Sequence, residues 1–295
     1  MNRKTDYKIN ENDTGKTVEG FLKERGYTHQ VLVRLKQTDH GILRNGIWAY
    51  TNERLCKDDL ITVQIVENEC SDNISPVNLP LDIAYEDDDI IVINKPFDMP
   101  AHPSAGNHDN TLANALMYYY GSQNKPFVYR CINRLDRDTT GLTIVAKHAL
   151  AGGILGNAVA KRAIHRTYYA VCSGCTPAYM RISAPIARKD ASTIERCVDF
   201  KRGENAVTDF IRIKYNPDNN LSLVKLRLLT GRTHQIRVHM KYIGFPLIGD
   251  FLYNPDYTYI SRQALHSGRL VFTHPVTGQK MNLISDIPSD MKSLF

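Results

Sequence analysis

Two hydrophobic rhythms run along the chain. From Leu81 onward, DIIVINKP, LTIVAK, YYAVCSG, TDFIRIKY, LSLVKLRLL, HQIRVHMK and RLVFTHP carry apolar residues at every second position or in short unbroken runs. That is the pattern of strands with one or both faces buried. TLANALMYYY and ALAGGILGNAVAKRAI instead have the length and spacing of helices. Strands in runs, with helices set aside, predict an α+β domain whose sheet is mixed and largely antiparallel. Regular strand–helix alternation and a Gly-x-Gly-x-x-Gly turn are both missing, which argues against a dinucleotide-binding fold.

The first part of the chain reads as a separate small α/β unit. In TVEGFLKERGY, Val18, Phe21 and Leu22 have helical spacing, and Gly26 marks the end. QVLVRLKQ fits a helix or a strand equally well. GILRNGIWAYTNERLCKDDLITVQIV reads as short strands around the Asn45-Gly46 turn, ending in the strand LITVQIV. ENECSDNISPVNLP is polar, holds two prolines and reads as a linker. The expected division is a module over residues 15–70, a linker over 71–80 and a main domain over 81–295.

Composition narrows the class. The chain has 295 residues, 42% apolar and 23% charged, which suits a globular protein with a sizeable core. No apolar run approaches the length of a membrane span. The first residues, MNRKTDYKINENDTGK, lack the apolar centre of a signal peptide. Six scattered cysteines suit reduced thiols in a cytoplasm.

Charge is distributed unevenly. Residues 1–75 hold eleven Lys and Arg against twelve Asp and Glu, whereas the rest hold twenty-six against nineteen. Thr139–Lys189 and Leu221–Phe245 contain no acidic residue at all. Long acid-free stretches leave a positive surface, which favours a polyanionic partner.

Two segments concentrate polar chemistry. NRLDRDTTGL, from Asn133 to Leu142, sets two Arg and two Asp beside the apolar LTIVAK. A solvated loop tolerates that pattern; a catalytic carboxylate held by arginine requires something like it. TGRTHQIRVHM places a Gly-Arg turn before His234, Arg237 and His239. The two histidines are five apart, which fits neither the strand nor the helix spacing of a metal pair. CSGC at Cys172 is a lone Cys-x-x-Cys with no second pair, and no metal is expected there. Tyr118–Tyr120 read as packing rather than as a base-stacking platform.

Taken together, RLDRDTTGL, then GRTHQIRVHMKYIGFPLIGD, then LHSGRLVFTHP resemble the RluA-type pseudouridine synthases, which act on ribosomal or transfer RNA. DIIVINKP with the following PAHPS, and RTYYAVCSG, fit the same pattern, so the resemblance spans about residues 81–290. The N-terminal unit resembles, less closely, the S-four-like RNA-binding module often fused to these enzymes. The chain departs from the family pattern at Asn133, where His is usual before Arg-Leu-Asp. It departs again at Thr139-Thr140-Gly141, where Thr-Ser-Gly is usual. Neither change removes the aspartate.

The resemblance implies an isomerase that needs no cofactor and no metal; the alternative is a catalytically silent RNA-binding protein of the same fold, against which the intact Asp136 and Arg237 argue. Its reaction breaks the bond from uracil nitrogen 1 to ribose and rejoins the base through carbon 5. One carboxylate acts as nucleophile or base, and the resemblance assigns it to Asp136. A carboxylate covered by RNA tends to take up a proton; a guanidinium opposes that, and the resemblance supplies Arg237. Asp138 is expected to be structural. On an extended segment, Asp136 and Asp138 are expected to make a poor carboxylate pair for a hydrolase. Arg134 matches the arginine that fills the space left by the flipped base, and Tyr168 matches the tyrosine that stacks on it. Lys161, Arg162, Arg166, Arg232 and Lys241 are candidate phosphate contacts. The expected partner is rRNA or tRNA, with no membrane association, and the expected state a cytoplasmic monomer. The N-terminal unit, acidic in sum, is expected to orient RNA rather than to grip it; Arg34, Lys36 and Arg44 are the residues that could reverse this.

Overall fold

A computed structural model of the chain describes residues 2–104, 106–190 and 194–295. An N-terminal four-stranded sheet runs in the order β1 (Asn2–Lys8), β4 (Leu60–Val66), β2 (Ile42–Arg44), β3 (Ile47–Trp48). Helices α1 (Val18–Glu24) and α2 (His29–Gln37) pack on it. Thr17 and Thr28 cap these helices by accepting the Gly20 and Val31 N–H groups, so QVLVRLKQ is a helix. Asn45 and Gly46 both have positive φ, as a two-residue hairpin between β2 and β3 requires. β1 pairs along its whole length with β4, so this unit starts well before residue 15.

The stretch read as a linker is an ordered strap. Ile74 and Leu79 pack against the core around α3 (Leu112–Gly121), and the Asn114 side chain donates to the Ser75 carbonyl at 2.7 Å. Beyond it lies a nine-stranded sheet. Its elements in chain order are β5 (Ile83–Glu86), β6 (Ile90–Lys95), β7 (Thr140–Ala146), β8 (His165–Ser173), β9 (Tyr179–Ser183), β12 (Val207–Asn216), β13 (Leu221–Leu228), β14 (Leu265–Thr273) and β15 (Lys280–Ile284). In space the order is β5-β6-β7-β14-β8-β13-β12-β9, with β15 on β14. Only β7 and β14 pair in parallel among the described strands, so the sheet is mixed and largely antiparallel, as the rhythm predicts. A short hairpin, β10 (Ile186–Arg188) with β11 (Arg196–Val198), and helices α4 (Ala149–Ala160), α5 (Gln235–Tyr242) and α6 (Ser289–Lys292) complete the described elements.

HQIRVHMK, expected as a strand, is helix α5. Every residue from Gln235 to Met240 is buried, so no polar face marks the helical period and the alternation of Ile236, Val238 and Met240 imitates a strand. Ile236 and Met240 lie one turn apart and enter the same core as Tyr168 and Leu226.

The two units share a core. Leu150 of α4 is buried among Val18, Phe21, Leu32 and Val63 of the N-terminal unit, and Ile154 packs against the same cluster. Arg3 grips both oxygens of Asp89, at 2.7 and 3.1 Å. Glu67 takes Arg130 at 2.9 Å and accepts the Ala149 N–H at 2.7 Å. No described helix is long and apolar enough to cross a membrane.

Candidate active site

The charged loop before β7 closes as a turn, with the Thr139 N–H donating to the Asp136 carbonyl at 3.1 Å. It is not the extended segment expected, yet its two aspartates still part company. Arg137 clasps Asp138 through both oxygens, at 3.0 and 2.9 Å, against the protein. Asp136 faces a cleft. Asn133 anchors the loop: its side chain accepts the Ile144 N–H at 2.7 Å and donates to the Leu142 carbonyl at 3.1 Å. Gly141, at φ +108°, lies so close to β14 that an added Cβ would stand 2.3 Å from the Ser267 carbonyl oxygen. Only glycine lets the two strands meet there.

Lys95, at the end of β6, is buried and donates to the carbonyls of Pro96 and Arg137, at 2.7 and 2.8 Å. Burial pushes it down to about 7, against the opposing pull of Asp138 and Asp136. Its two hydrogen bonds tie the loop to the sheet.

Asp136 receives Arg237 from α5. The guanidinium is 2% exposed and fully engaged. Its Nε and Nη2 donate to the two oxygens of buried Asp250, at 2.7 and 2.8 Å, while Nη1 donates to Asp136 Oδ2 at 2.9 Å. Burial opposes its charge, but the two carboxylates override that and raise its affinity for its proton. A buried guanidinium between two carboxylates is rigid and permanently charged. Arg237 therefore fixes one oxygen of Asp136 and leaves the other, Oδ1, without a hydrogen bond among the described residues.

Asp136, Arg237, Tyr168, Leu228, Ile236 and Leu265 line a cavity of about 100 Å³. Arg134, Arg166, Arg232 and His234 line it as well, so it is a slot of mixed polarity, with one carboxylate among several cations and room for a small ring. It opens into a cleft of about 600 Å³ lined by Arg134, Asp136, Arg162, Arg166, Arg227 and Arg232 among others.

Comparison with known proteins decides what this cleft belongs to. The RNA pseudouridylate synthase family model matches residues 89–242. YjbO, an uncharacterized RNA pseudouridine synthase of Bacillus subtilis (strain 168), is 38% identical over 281 residues, covering 95% of this chain and 98% of that protein. The chain belongs to the RNA pseudouridylate synthase family.

Ribosomal large subunit pseudouridine synthase D of Haemophilus influenzae is 41% identical over 245 residues, 78% of this chain and 75% of that protein. Among solved structures, human RNA Pseudouridylate Synthase Domain Containing 1 superposes with a TM-score of 0.59 at 26% identity, over 70% of this chain and 83% of that one. This synthase is thus an isomerase of RNA uridine on the same fold.

Of the residues expected from sequence, the fold brings Asp136, Arg237 and Tyr168 to the small cavity, and Arg134, Arg162, Arg166 and Arg232 to the cleft. Tyr168 is buried towards the cavity, whereas Tyr169 packs on the opposite core, as alternation along β8 demands. Lys161 and Lys241 are exposed but line neither space. Arg232 is partly engaged by Glu204 and by the Asn205 carbonyl. Arg227 and His165 of the cleft went unnoticed in the sequence, and so did Asp250. A buried guanidinium demands more negative charge than one reacting carboxylate supplies, but nothing local marks the acid closing PLIGD as the group that provides it.

Asp87, Asp89 and His274 are the one described group whose donor atoms converge enough for a metal ion. Their hydrogen bonds argue against it. His274 Nδ1 accepts the N–H groups of Val276 and Thr277, which places its proton on Nε2, 2.9 Å from Asp87. A metal ligand needs that nitrogen bare, and the guanidinium of Arg3 already occupies Asp89. In CSGC, Cys172 is buried and Cys175 exposed, and both are free thiols.

Proposed function

We propose that this synthase isomerises uridines in structured RNA, with Asp136 as the reacting carboxylate and ribosomal RNA as the substrate. Several of its relatives carry the large ribosomal subunit in their names, including those of Haemophilus influenzae and Vibrio cholerae. The observation that carries the reading is the Asp136–Arg237–Asp250 chain at the mouth of a base-sized slot.

In the proposed reaction the target base leaves its stack at a cost of a few kcal/mol and enters the slot against Tyr168. Arg134 takes its place in the RNA. Asp136 Oδ1 acts on the glycosidic bond, as nucleophile or base, while Arg237 holds Oδ2. The bond from nitrogen 1 to ribose carbon 1′ breaks and the bond from carbon 5 to carbon 1′ forms. The proton on carbon 5 is lost and nitrogen 1 gains one. Nothing is oxidised or reduced, so the chemistry calls on no cofactor and no metal. The RNA backbone runs along Arg162, Arg166 and Arg232, with Lys161 and Lys241 at its margins. The N-terminal unit, residues 2–70, acts as an orienting module resembling the S-four type, and residues 81–295 form the catalytic domain. The enzyme works in the cytoplasm as a monomer.

Because carbon 5 loses its hydrogen, RNA labelled with tritium at uridine carbon 5 reports turnover directly. Release of tritium from ribosomal RNA transcripts, but not from transfer RNA transcripts, is the expected result. Pseudouridine maps of total RNA from a deletion strain and its parent then locate the site. Loss of a transfer RNA pseudouridine alone would overturn the ribosomal assignment.

A further inference from the structure

His234 sits in the catalytic slot and has no part in the reaction as described so far. It precedes α5 in a left-handed backbone conformation, φ +56°. That region is uncommon for a residue with a side chain, and strain of this kind concentrates at functional sites. The ring lines the cavity beside Asp136, with Nε2 3.9 Å from Asp136 Oδ2. This is longer than a hydrogen bond, but such contacts tighten when substrate fills a site.

The other ring nitrogen is committed. Nδ1 lies 2.9 Å from the Tyr253 hydroxyl. The Tyr253 oxygen already accepts the Arg196 N–H at 2.9 Å. Burial pushes Tyr253 up to about 12, so it remains a phenol. Its proton needs an acceptor, and Nδ1 is the one within reach among the described residues. With Nδ1 accepting, the imidazole proton is on Nε2 and faces Asp136.

We propose that His234 is a positioning residue for the reaction: its Nε2–H, fixed in that tautomer by Tyr253, steadies the same Asp136 oxygen that Arg237 holds. The inference rests on Asp136 being the reacting carboxylate. Two donors on Oδ2 hold the carboxylate in one rotamer and direct Oδ1 at the substrate. The imidazole does this while neutral. Burial lowers its proton affinity, ahead of the opposing pull of Asp136. The charged groups around it are Asp136 and Asp250 on one side of the balance and Arg237 and Arg196 on the other. A base role is closed to it, because one nitrogen carries a proton and the other accepts one.

Two variants and a spectrum test this. His234→Asn tolerates the left-handed backbone but is too short to reach Oδ2. Tyr253→Phe releases the tautomer. Nitrogen-15 shifts of the wild-type ring should show the Nε2–H form. His234→Asn should slow single-turnover tritium release about 10-fold or more, with RNA affinity within about twofold. Tyr253→Phe should slow it less, and the double variant should be no slower than His234→Asn, because the tyrosine acts through the histidine. The loss should be uniform from pH 6 to 9, as about that range separates a neutral donor from a titrating base. An Nδ1–H ring, wild-type rates in His234→Asn, or multiplying losses in the double variant overturns the proposal. If His234→Asn unfolds, the spectrum and Tyr253→Phe decide alone. A fully active Asp136→Asn overturns instead the reading of Asp136; an inert Asp136→Asn beside a fully active His234→Asn overturns only this inference.

Discussion

The N-terminal unit and the arginine-lined cleft are both well supplied with basic residues, and they use them in opposite ways. In the N-terminal unit nine of the eleven basic residues pair with an acid. Arg34 meets Glu69, Lys36 meets Glu19, and Arg44 meets Asp59 and Glu53. Arg3, Lys8, Lys16, Lys23, Arg25 and Lys57 are paired likewise. In the cleft Arg232 meets Glu204, whereas Arg134, Arg162, Arg166 and Arg227 have no acid within ion-pair distance among the described residues. Exposed ion pairs add little stability, but they cancel the field that attracts a polyanion. A basic residue beside its acid has much of its field cancelled; one without an acid keeps its field to attract RNA. The three residues that could have made the N-terminal unit a grip are the ones it neutralises.

Arg237 stands apart from both groups, since it lines the small cavity beside the cleft and is paired twice. Arg237→Lys keeps the charge but loses the planar fork that reaches Asp250 and Asp136 together. We expect turnover to fall about 100-fold or more, with RNA affinity changed by less than about threefold. Wild-type single-turnover kinetics in this variant would show that any cation suffices there.

Removing residues 2–69 sharpens the contrast between the two regions. The structure opposes a clean cut, because Leu150 and Ile154 lose their cover and Asp89 loses Arg3. The truncated protein should lose about 2–4 kcal/mol in urea unfolding, the cost of uncovering one or two aliphatic side chains and a buried carboxylate. Its salt dependence of RNA binding should stay as it was. A large fall in that slope would return RNA binding to the N-terminal unit.

Single substitutions make the same comparison more finely. Arg166→Ala should reduce the slope of log affinity against log salt by about 0.7–0.9, one phosphate contact, whereas Arg34→Ala should leave it unchanged. Equal effects from both would dissolve the distinction between paired and unpaired arginines.

The smallest expected effect concerns acid. Burial holds His102, His234, His239 and His266 below their ordinary value of 6.5 in the folded state. Between the folded value and 6.5 the unfolded chain binds protons that the folded one does not, so stability falls as pH drops through that window. Urea midpoints should begin to decline just below about pH 6.5, before the carboxylates titrate. A midpoint flat to pH 5 would contradict the burial of these rings.

What the sequence reveals here depends on how local the cause is. β6, β7, β8, β13 and β14 are legible because their apolar residues mark the faces they bury. β1 is not, because NRKTDYK is an edge strand without one apolar aliphatic residue, held by its pairing with β4. α5 hides its period by being buried all round. In the site, Asp136, Arg237 and Tyr168 stand in motifs whose resemblance to the family singles them out. Asp250 and Tyr253 do not, for their roles follow from what Arg237 and His234 need in three dimensions. His234 was visible as a residue, but its tautomer depends on a tyrosine 19 positions away.

The central claim is that the carboxylate held by Arg237 carries out the reaction. Asp136→Asn keeps the size and most of the hydrogen bonding of the side chain, so the protein should fold and bind RNA as before. Tritium release from carbon 5 of uridine should be absent in this variant, measured on protein purified from cells lacking other synthases of the family. Asp138→Asn, prepared in the same way, should retain substantial turnover. Release by Asp136→Asn at a rate comparable to wild type would contradict the account.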